Sequence, residues 1–116
     1  MEWILIALVV AFIVWRMSPA KGVKTISTAD LKEKLSNKST QFVDVRTPGE
    51  YKSRHISEFQ NIPLDQLSTK VGKLDPEKET VVICQSGMRS GRAAGLLRKA
   101  GFANVINVRG GMSRWE

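Results

Sequence analysis

Three consecutive β-branched residues, Val81-Val82-Ile83, constrain this chain more than any other stretch. A strand turns successive side chains to opposite faces, and here both faces are apolar, so the strand must be covered on both sides. That is the condition of a parallel sheet packed between helices. From Val23 onward the chain agrees with it. Short β-branched runs at Lys24–Ile26, Gln41–Val45, Thr80–Cys84 and Val105–Val108 alternate with helix-like stretches, and His55-Ile56 is a candidate short fifth strand. Ser27 or Thr28 can cap a helix over Ala29–Leu35, with Asp30 favourable in its first turn. A shorter helix is expected over Asp65–Val71. The clearest helix is Ser90–Lys99, where Ala93, Ala94, Leu96, Leu97 and Ala100 form an apolar stripe and Gly101 supplies the stop. The expectation is an α/β domain with a central, mostly parallel sheet flanked by helices.

The N-terminus is of another kind. Trp3 to Trp15 is an unbroken apolar run, with Glu2 before it and Arg16 after it. It falls short of the roughly 20 residues of a full membrane span, but Met1, Met17 and a snorkelling Arg16 bring it into the lower range, and a tryptophan at each end suits the two interfaces. Residues 1–17 are therefore expected to form a single transmembrane anchor, 18–22 a linker and 23–116 the folded domain. A cleaved signal peptide is the alternative, since Ser18-Pro19-Ala20 offers small residues; the absence of Lys or Arg ahead of the run opposes it. An ordinary core helix fits less well, because the run has no polar face. Arg16, Lys21 and Lys24 follow the run, so the positive-inside rule puts the domain in the cytoplasm, at the cell membrane.

The 116 residues are 42% hydrophobic and 25% charged, as in an ordinary globular protein. A single cysteine excludes an internal disulfide, a zinc cluster and a C-x-x-C redox pair, and neither a metal nor a cofactor is expected. The net charge of +7 is spread along the sequence rather than gathered in a tract, and no nucleic-acid motif accompanies it, so no nucleic-acid partner is expected.

Cys84 stands at the C-terminal tip of the buried-looking strand, a few residues before a helix, which is where α/β sheets place their sites. A thiol reacts as thiolate, and its free pKa of about 8.5 must fall for it to work near neutrality. The loop Gln85-Ser86-Gly87-Met88-Arg89-Ser90 offers three means. The helix N-terminus presents unpaired amides, Gly87 lets successive N–H groups face the sulfur as an anion nest, and Arg89, with Arg92 one turn on, adds positive charge. An inert buried thiol is the alternative, but small, polar and basic residues do not fill a core.

Together these stretches resemble the rhodanese-like superfamily over about Val23 to Trp115. Phe42-Val43-Asp44-Val45-Arg46-Thr47-Pro48-Gly49-Glu50-Tyr51 is similar to its first signature, followed by His55-Ile56 and Asn61-Ile62-Pro63-Leu64. Cys84 to Ser90 is similar to its active-site loop, and Gly101-Phe102 with Gly110-Gly111-Met112-Ser113-Arg114-Trp115 to its closing elements. The resemblance implies a sulfurtransferase with Cys84 catalytic. A small anionic sulfur donor such as thiosulfate, or a protein persulfide, would load Cys84 as a persulfide, and a thiol or cyanide would unload it. Two alternatives are a membrane-tethered, non-catalytic interaction module and a phosphatase or arsenate reductase. The C-x4-R spacing counts against the last pair, whose relatives carry C-x5-R. Around His55 the chain departs from the family's Ile-Pro-Gly-Ala-like turn, which bears on local turn geometry and partner choice. His55 is read as structural rather than as a base. Asp44 and Arg46, at the end of the second strand, either buttress the cysteine loop or pair with each other. Trp115 is read as a core aromatic, and Met88 as either at the pocket mouth or on the surface.

Overall fold

A computed structural model of the protein describes residues 2–17 and 22–116. In chain order the elements are α1 (Glu2–Met17), β1 (Val23–Ile26), α2 (Thr28–Lys34), β2 (Gln41–Asp44), α3 (Pro48–Ser53), β3 (Gln60–Asn61), α4 (Leu64–Lys70), β4 (Thr80–Ile83), α5 (Met88–Lys99) and β5 (Val105–Val108). A short 3₁₀ turn, Gly111–Arg114, follows β5. The strands form one sheet in the order β1-β5-β4-β2-β3, and every pairing is parallel.

The alternation of side chains along the strands divides the core in two. Val43, Val82, Cys84 and Val105 point to one face, where Leu67 of α4 and Ala93, Ala94 and Leu97 of α5 cover them. Phe42, Val81, Ile83, Ile106 and Val108 point to the other, under Leu31 of α2 and Met112. Thus β4 is buried along its whole length, as its run of β-branched residues requires.

The strand order also determines where a site can form. From β2 the chain runs outward to its neighbour β3, whereas from β4 it runs outward the opposite way to β5. Between β2 and β4 lies the point where the winding reverses, and at the carboxyl ends of two such strands the departing loops leave a crevice. Cys84 follows β4 there, and Asp44, Val45 and Arg46 end or follow β2.

Three points differ from the sequence reading. His55-Ile56 is not a strand; the fifth strand is Gln60–Asn61, reached after Tyr51 and His55 stack with ring centroids 3.9 Å apart and hold that turn in place. Pro48–Ser53 is a helix that the pattern of apolar residues did not announce, because it buries none of its own residues. The third concerns α1. It has 16 residues, about 24 Å at 1.5 Å per residue, against a hydrocarbon core of about 30 Å. Among the described residues no helix is long and apolar enough to cross a membrane, so the expected transmembrane span is not supported. Residues 2–14 of α1 are nevertheless apolar after Glu2 and exposed throughout. Residues 18–21, and with them most of the expected linker and the small residues of the alternative cleavage site, lie outside the described residues, as do the side chains of Trp15 and Arg16.

Candidate active site

The loop after β4 bends at Gly87, whose φ of +104° belongs to glycine, and α5 begins at the next residue. This bend turns the backbone back over the cysteine. The Gly87 N–H donates to Cys84 Sγ at 2.9 Å and the Ser90 hydroxyl lies 3.3 Å from the same sulfur. Cys84 itself is fully buried. Burial alone pushes its pKa up; the Ser90 hydroxyl and the backbone N–H groups of Ser90, Gly87 and Ser86 outweigh it and hold the thiol below its ordinary value.

The peptides that lead into the bend are held by their carbonyls. Those of Cys84 and Gln85 point away from the bend and accept from Met112 N at 2.8 Å and Ser113 N at 3.0 Å. Close approach of the two backbones requires Gly111: a Cβ there would stand 2.1 Å from the Cys84 carbonyl oxygen, and its φ is +55°. The Gly110-Gly111-Met112-Ser113 segment is thus the backing of the cysteine loop, a role that the sequence motif did not disclose.

On the β2 side, Asp44 and Arg46 do both things left open by the sequence. They form a buried pair, with Arg46 Nη2 2.8 Å from Asp44 Oδ2 and Arg46 Nε 3.0 Å from Oδ1. Arg46 also donates to the carbonyls of Glu50 (3.2 Å) and Arg54 (2.6 Å) and reaches Gln85 Oε1 at 3.4 Å. The pair therefore ties α3 and the first loop residue to the sheet.

Arg89 does not supply a free positive charge to the sulfur. Its guanidinium is engaged bidentately by Glu50, Nη1 to Oε1 at 2.7 Å and Nη2 to Oε2 at 2.8 Å. Arg89 lowers the Glu50 carboxyl to about 2, helped by the N–H and hydroxyl of Thr47. The same contact raises the Arg89 guanidinium above its ordinary value. Glu50 escaped the sequence reading as a site residue, although Thr47-x-x-Glu50 is the signature of a capping box and Thr47 and Glu50 do cap α3 that way. Arg92 is exposed and belongs to none of the ion pairs among the described residues.

Above the bend, Ser86, Gly87, Met88, Arg89, Gly91 and Arg92 line an open depression of about 660 Å³. Met88, 79% exposed, is both on the surface and at the rim of this depression, so the two placements expected for it coincide. Arg89 and Arg92 also wall a neighbouring cavity of about 550 Å³ with an apolar lining that includes Val45, Leu64 and Leu96. His55 lies away from this constellation, exposed, with Nδ1 2.7 Å from the Tyr51 carbonyl. Trp115 packs partly buried against the core, with Lys32 Nζ 5.3 Å from its ring.

A model of the rhodanese-like domain matches residues 27–116, which take in every strand of this sheet except β1 and all of the cysteine loop. The chain belongs to the rhodanese-like family. Two relatives from Bacillus subtilis illustrate the range. YtwF, provisionally named a sulfurtransferase, is 41% identical over 95 residues, 81% of this chain and 91% of its own length. YqhL, an uncharacterized protein, is 32% identical over 116 residues; that alignment takes in 97% of this chain and 90% of YqhL, so it extends beyond the rhodanese-like domain into α1. Among solved structures, a rhodanese-like domain protein from Staphylococcus aureus superposes with a TM-score of 0.74 at 33% identity, covering 80% of this chain and 91% of that one. In the rhodanese-like domain described here, the Gly87 amide and the Ser90 hydroxyl converge on the Cys84 sulfur.

Proposed function

We propose that this protein is a sulfurtransferase that carries sulfur on Cys84 as a persulfide. With thiosulfate as donor, the Cys84 thiolate attacks the outer sulfur, the S–S bond of thiosulfate breaks, and sulfite leaves with the electron pair. Cys–S⁻ and S–SO₃²⁻ thus become Cys–S–S⁻ and SO₃²⁻. A thiophilic acceptor then attacks the terminal sulfur. Cyanide would leave as thiocyanate and a thiolate as its persulfide, and in either case the Cys84 thiolate returns. Neither half-reaction requires a general base, because the attacking group is already ionised.

The observation that carries this reading is the convergence of the Gly87 N–H and the Ser90 hydroxyl on a buried Sγ. Donors aimed at Sγ favour the charge it carries in the thiolate, which attacks the donor in one half-reaction and is the leaving group of the other. Engagement of Arg89 by Glu50 weighs against a phosphatase or arsenate reductase, which would need that guanidinium for an oxyanion.

The test is to incubate the full chain with thiosulfate and record its intact mass. A gain of one sulfur atom, absent in Cys84→Ala and reversed by cyanide or excess thiol, is the expected result. No gain with thiosulfate, a mercaptopyruvate-like donor or a low-molecular-weight persulfide would overturn the reading in favour of a non-catalytic interaction module.

We further propose that α1 associates the protein with the cell membrane, the domain lying on the cytoplasmic side. The support is the exposed apolar surface of residues 3–14 and the Arg16, Lys21 and Lys24 that follow. Deleting residues 2–17 should move the protein out of the membrane fraction. Unchanged fractionation would refute the association.

A further inference from the structure

We propose that Asn107 is a positioning residue for the reactive sulfur, competing with Cys84 for the one hydroxyl proton of Ser90. The proposal deepens the sulfur-transfer reading, on which it rests for the role of Cys84, by naming what tunes the carrier thiol.

Ser90 is fully buried, and its Oγ lies 2.5 Å from Asn107 Oδ1 and 3.3 Å from Cys84 Sγ. A hydroxyl has a single proton, so it can donate to only one of these two acceptors at a time. The orientation of the Asn107 carboxamide is determined by a third group. Its Nδ2 donates to the Gly87 carbonyl at 3.2 Å, and a carbonyl can only accept, so turning the amide over would set two acceptor oxygens against each other. Oδ1 therefore faces Ser90, and Ser90 donates to it.

While Cys84 is a thiol this arrangement is satisfied, because S–H can donate to a lone pair of Ser90 Oγ. A thiolate or a persulfide has no proton to give, and the sulfur becomes an acceptor only. Ser90 must then turn its proton from Asn107 Oδ1 to the sulfur. Asn107 opposes that turn, and at the same time it holds Gly87, whose N–H is the sulfur's other close donor. One side chain on β5 thus governs both donors from behind.

Asn107 is the polar member of the strand Val105-Ile106-Asn107-Val108, whose other residues are buried and apolar. Its ordinary fate would be a solvent-facing position. Instead it lies against the start of α5, where a Cβ on Gly91 would meet its Nδ2 at 3.5 Å, an ordinary contact.

The charged groups around Cys84 come from three elements. Arg89 of α5 is paired with Glu50 of α3, and Asp44 of β2 with Arg46; Arg92 of α5 is exposed. These groups are common to all the variants below, so they cancel from a comparison among them.

The experiment titrates the full chain by the ultraviolet absorbance of its thiolate, with Cys84→Ala subtracted as the blank. The presence of a single cysteine makes the signal unambiguous. Asn107→Leu, close in size but without an acceptor, is made in the wild-type protein and in the Ser90→Ala protein. With Ser90 present, its effect on the midpoint should be more acidic than with Ser90 replaced, by about 0.7 pH unit, the equivalent of one ordinary hydrogen bond. Equal shifts in the two backgrounds would overturn the proposal, since a purely structural Asn107 would act the same way in both. If Asn107→Leu does not fold, Asn107→Asp replaces it. A carboxylate is the stronger acceptor, so its shift should be more basic with Ser90 present than without, and equal shifts again overturn the proposal. The titration needs no sulfur donor. Coupling between the two residues in a protein that never loads sulfur would uphold the Asn107 assignment and sink only the transfer reading.

Discussion

Replacing Gly111 with alanine tests whether the cysteine loop is held from behind. The new Cβ would be placed 2.1 Å from the Cys84 carbonyl oxygen and 2.9 Å from its carbon, where ordinary contacts begin near 3.4 Å. Both partners are backbone, so relief requires the two segments to part by more than an ångström. The left-handed φ of +55° adds about 1–2 kcal/mol for any residue with a Cβ, and overpacking about 1–3 kcal/mol more. A total loss of about 2–5 kcal/mol is expected, which at an m-value of about 1–3 kcal/mol per molar lowers the urea midpoint by roughly 1 M or more. Separation also lengthens the 2.8 Å bond from Met112 N to the Cys84 carbonyl, freeing that peptide to rotate and its neighbours' amides to leave the sulfur. Sulfur loading, read by intact mass, should therefore fall even in the fraction that remains folded. Gly72→Ala is the control, since nothing lies within 4 Å of its Cβ position, and it should change stability by no more than about 0.5 kcal/mol. Wild-type stability and loading in Gly111→Ala would refute the account of how the amides are aimed.

Arg46→Met should cost about 3–5 kcal/mol in urea unfolding, because it strands the buried Asp44 carboxylate; Asp44→Asn in the same protein should recover part of the loss, and no recovery would mean that the pair is not the cause. Glu50 has its folded pKa depressed to about 2 from 4.5, so its contribution is present above 4.5 and disappears as pH falls through about 2. Glu50→Gln should accordingly be less stable than wild type at neutral pH, by about 1 kcal/mol or less for a pair this exposed, with the difference closing in acid; a pH-independent gap would contradict the assignment. The Cys84 thiol, held below its ordinary value, makes folding more favourable as pH rises from the folded value to that of a free thiol, a gain that Cys84→Ala should lack in paired pH–stability curves. Ser90→Ala should move the thiolate midpoint upward by removing the donor 3.3 Å from the sulfur, and a downward shift would mean that the hydroxyl does not serve the thiolate.

What the sequence disclosed of this fold followed periodicity. Val81-Val82-Ile83 required a strand covered on both faces, and the stripe on Ser90–Lys99 announced the helix that covers one of them. The helix Pro48–Ser53 was missed because its stability comes from capping and from Arg46, with no buried residue to create a stripe. Local chemistry was legible at Cys84, Gly87 and Ser90, which lie within one loop. The partners of that loop were not, because Glu50, Asn107 and Met112 meet it only after the sheet is assembled and nothing in their spacing encodes the meeting. Arg89 is the instructive case: its residue type and position were readable, but the carboxylate that occupies it comes from 39 residues earlier.

If Cys84 carries sulfur as proposed, the burial of its Sγ separates the carrier atom from its cargo. An S–S bond is about 2 Å long, so a sulfur loaded on Cys84 would stand that far from the buried atom that holds it. The empty protein would then expose little of its thiol, whereas the loaded protein would carry its charge on the added atom. Since the sequence holds no second cysteine to take the sulfur over, a loaded molecule would discharge by meeting another molecule. The lifetime of the loaded form would then follow the supply of acceptor.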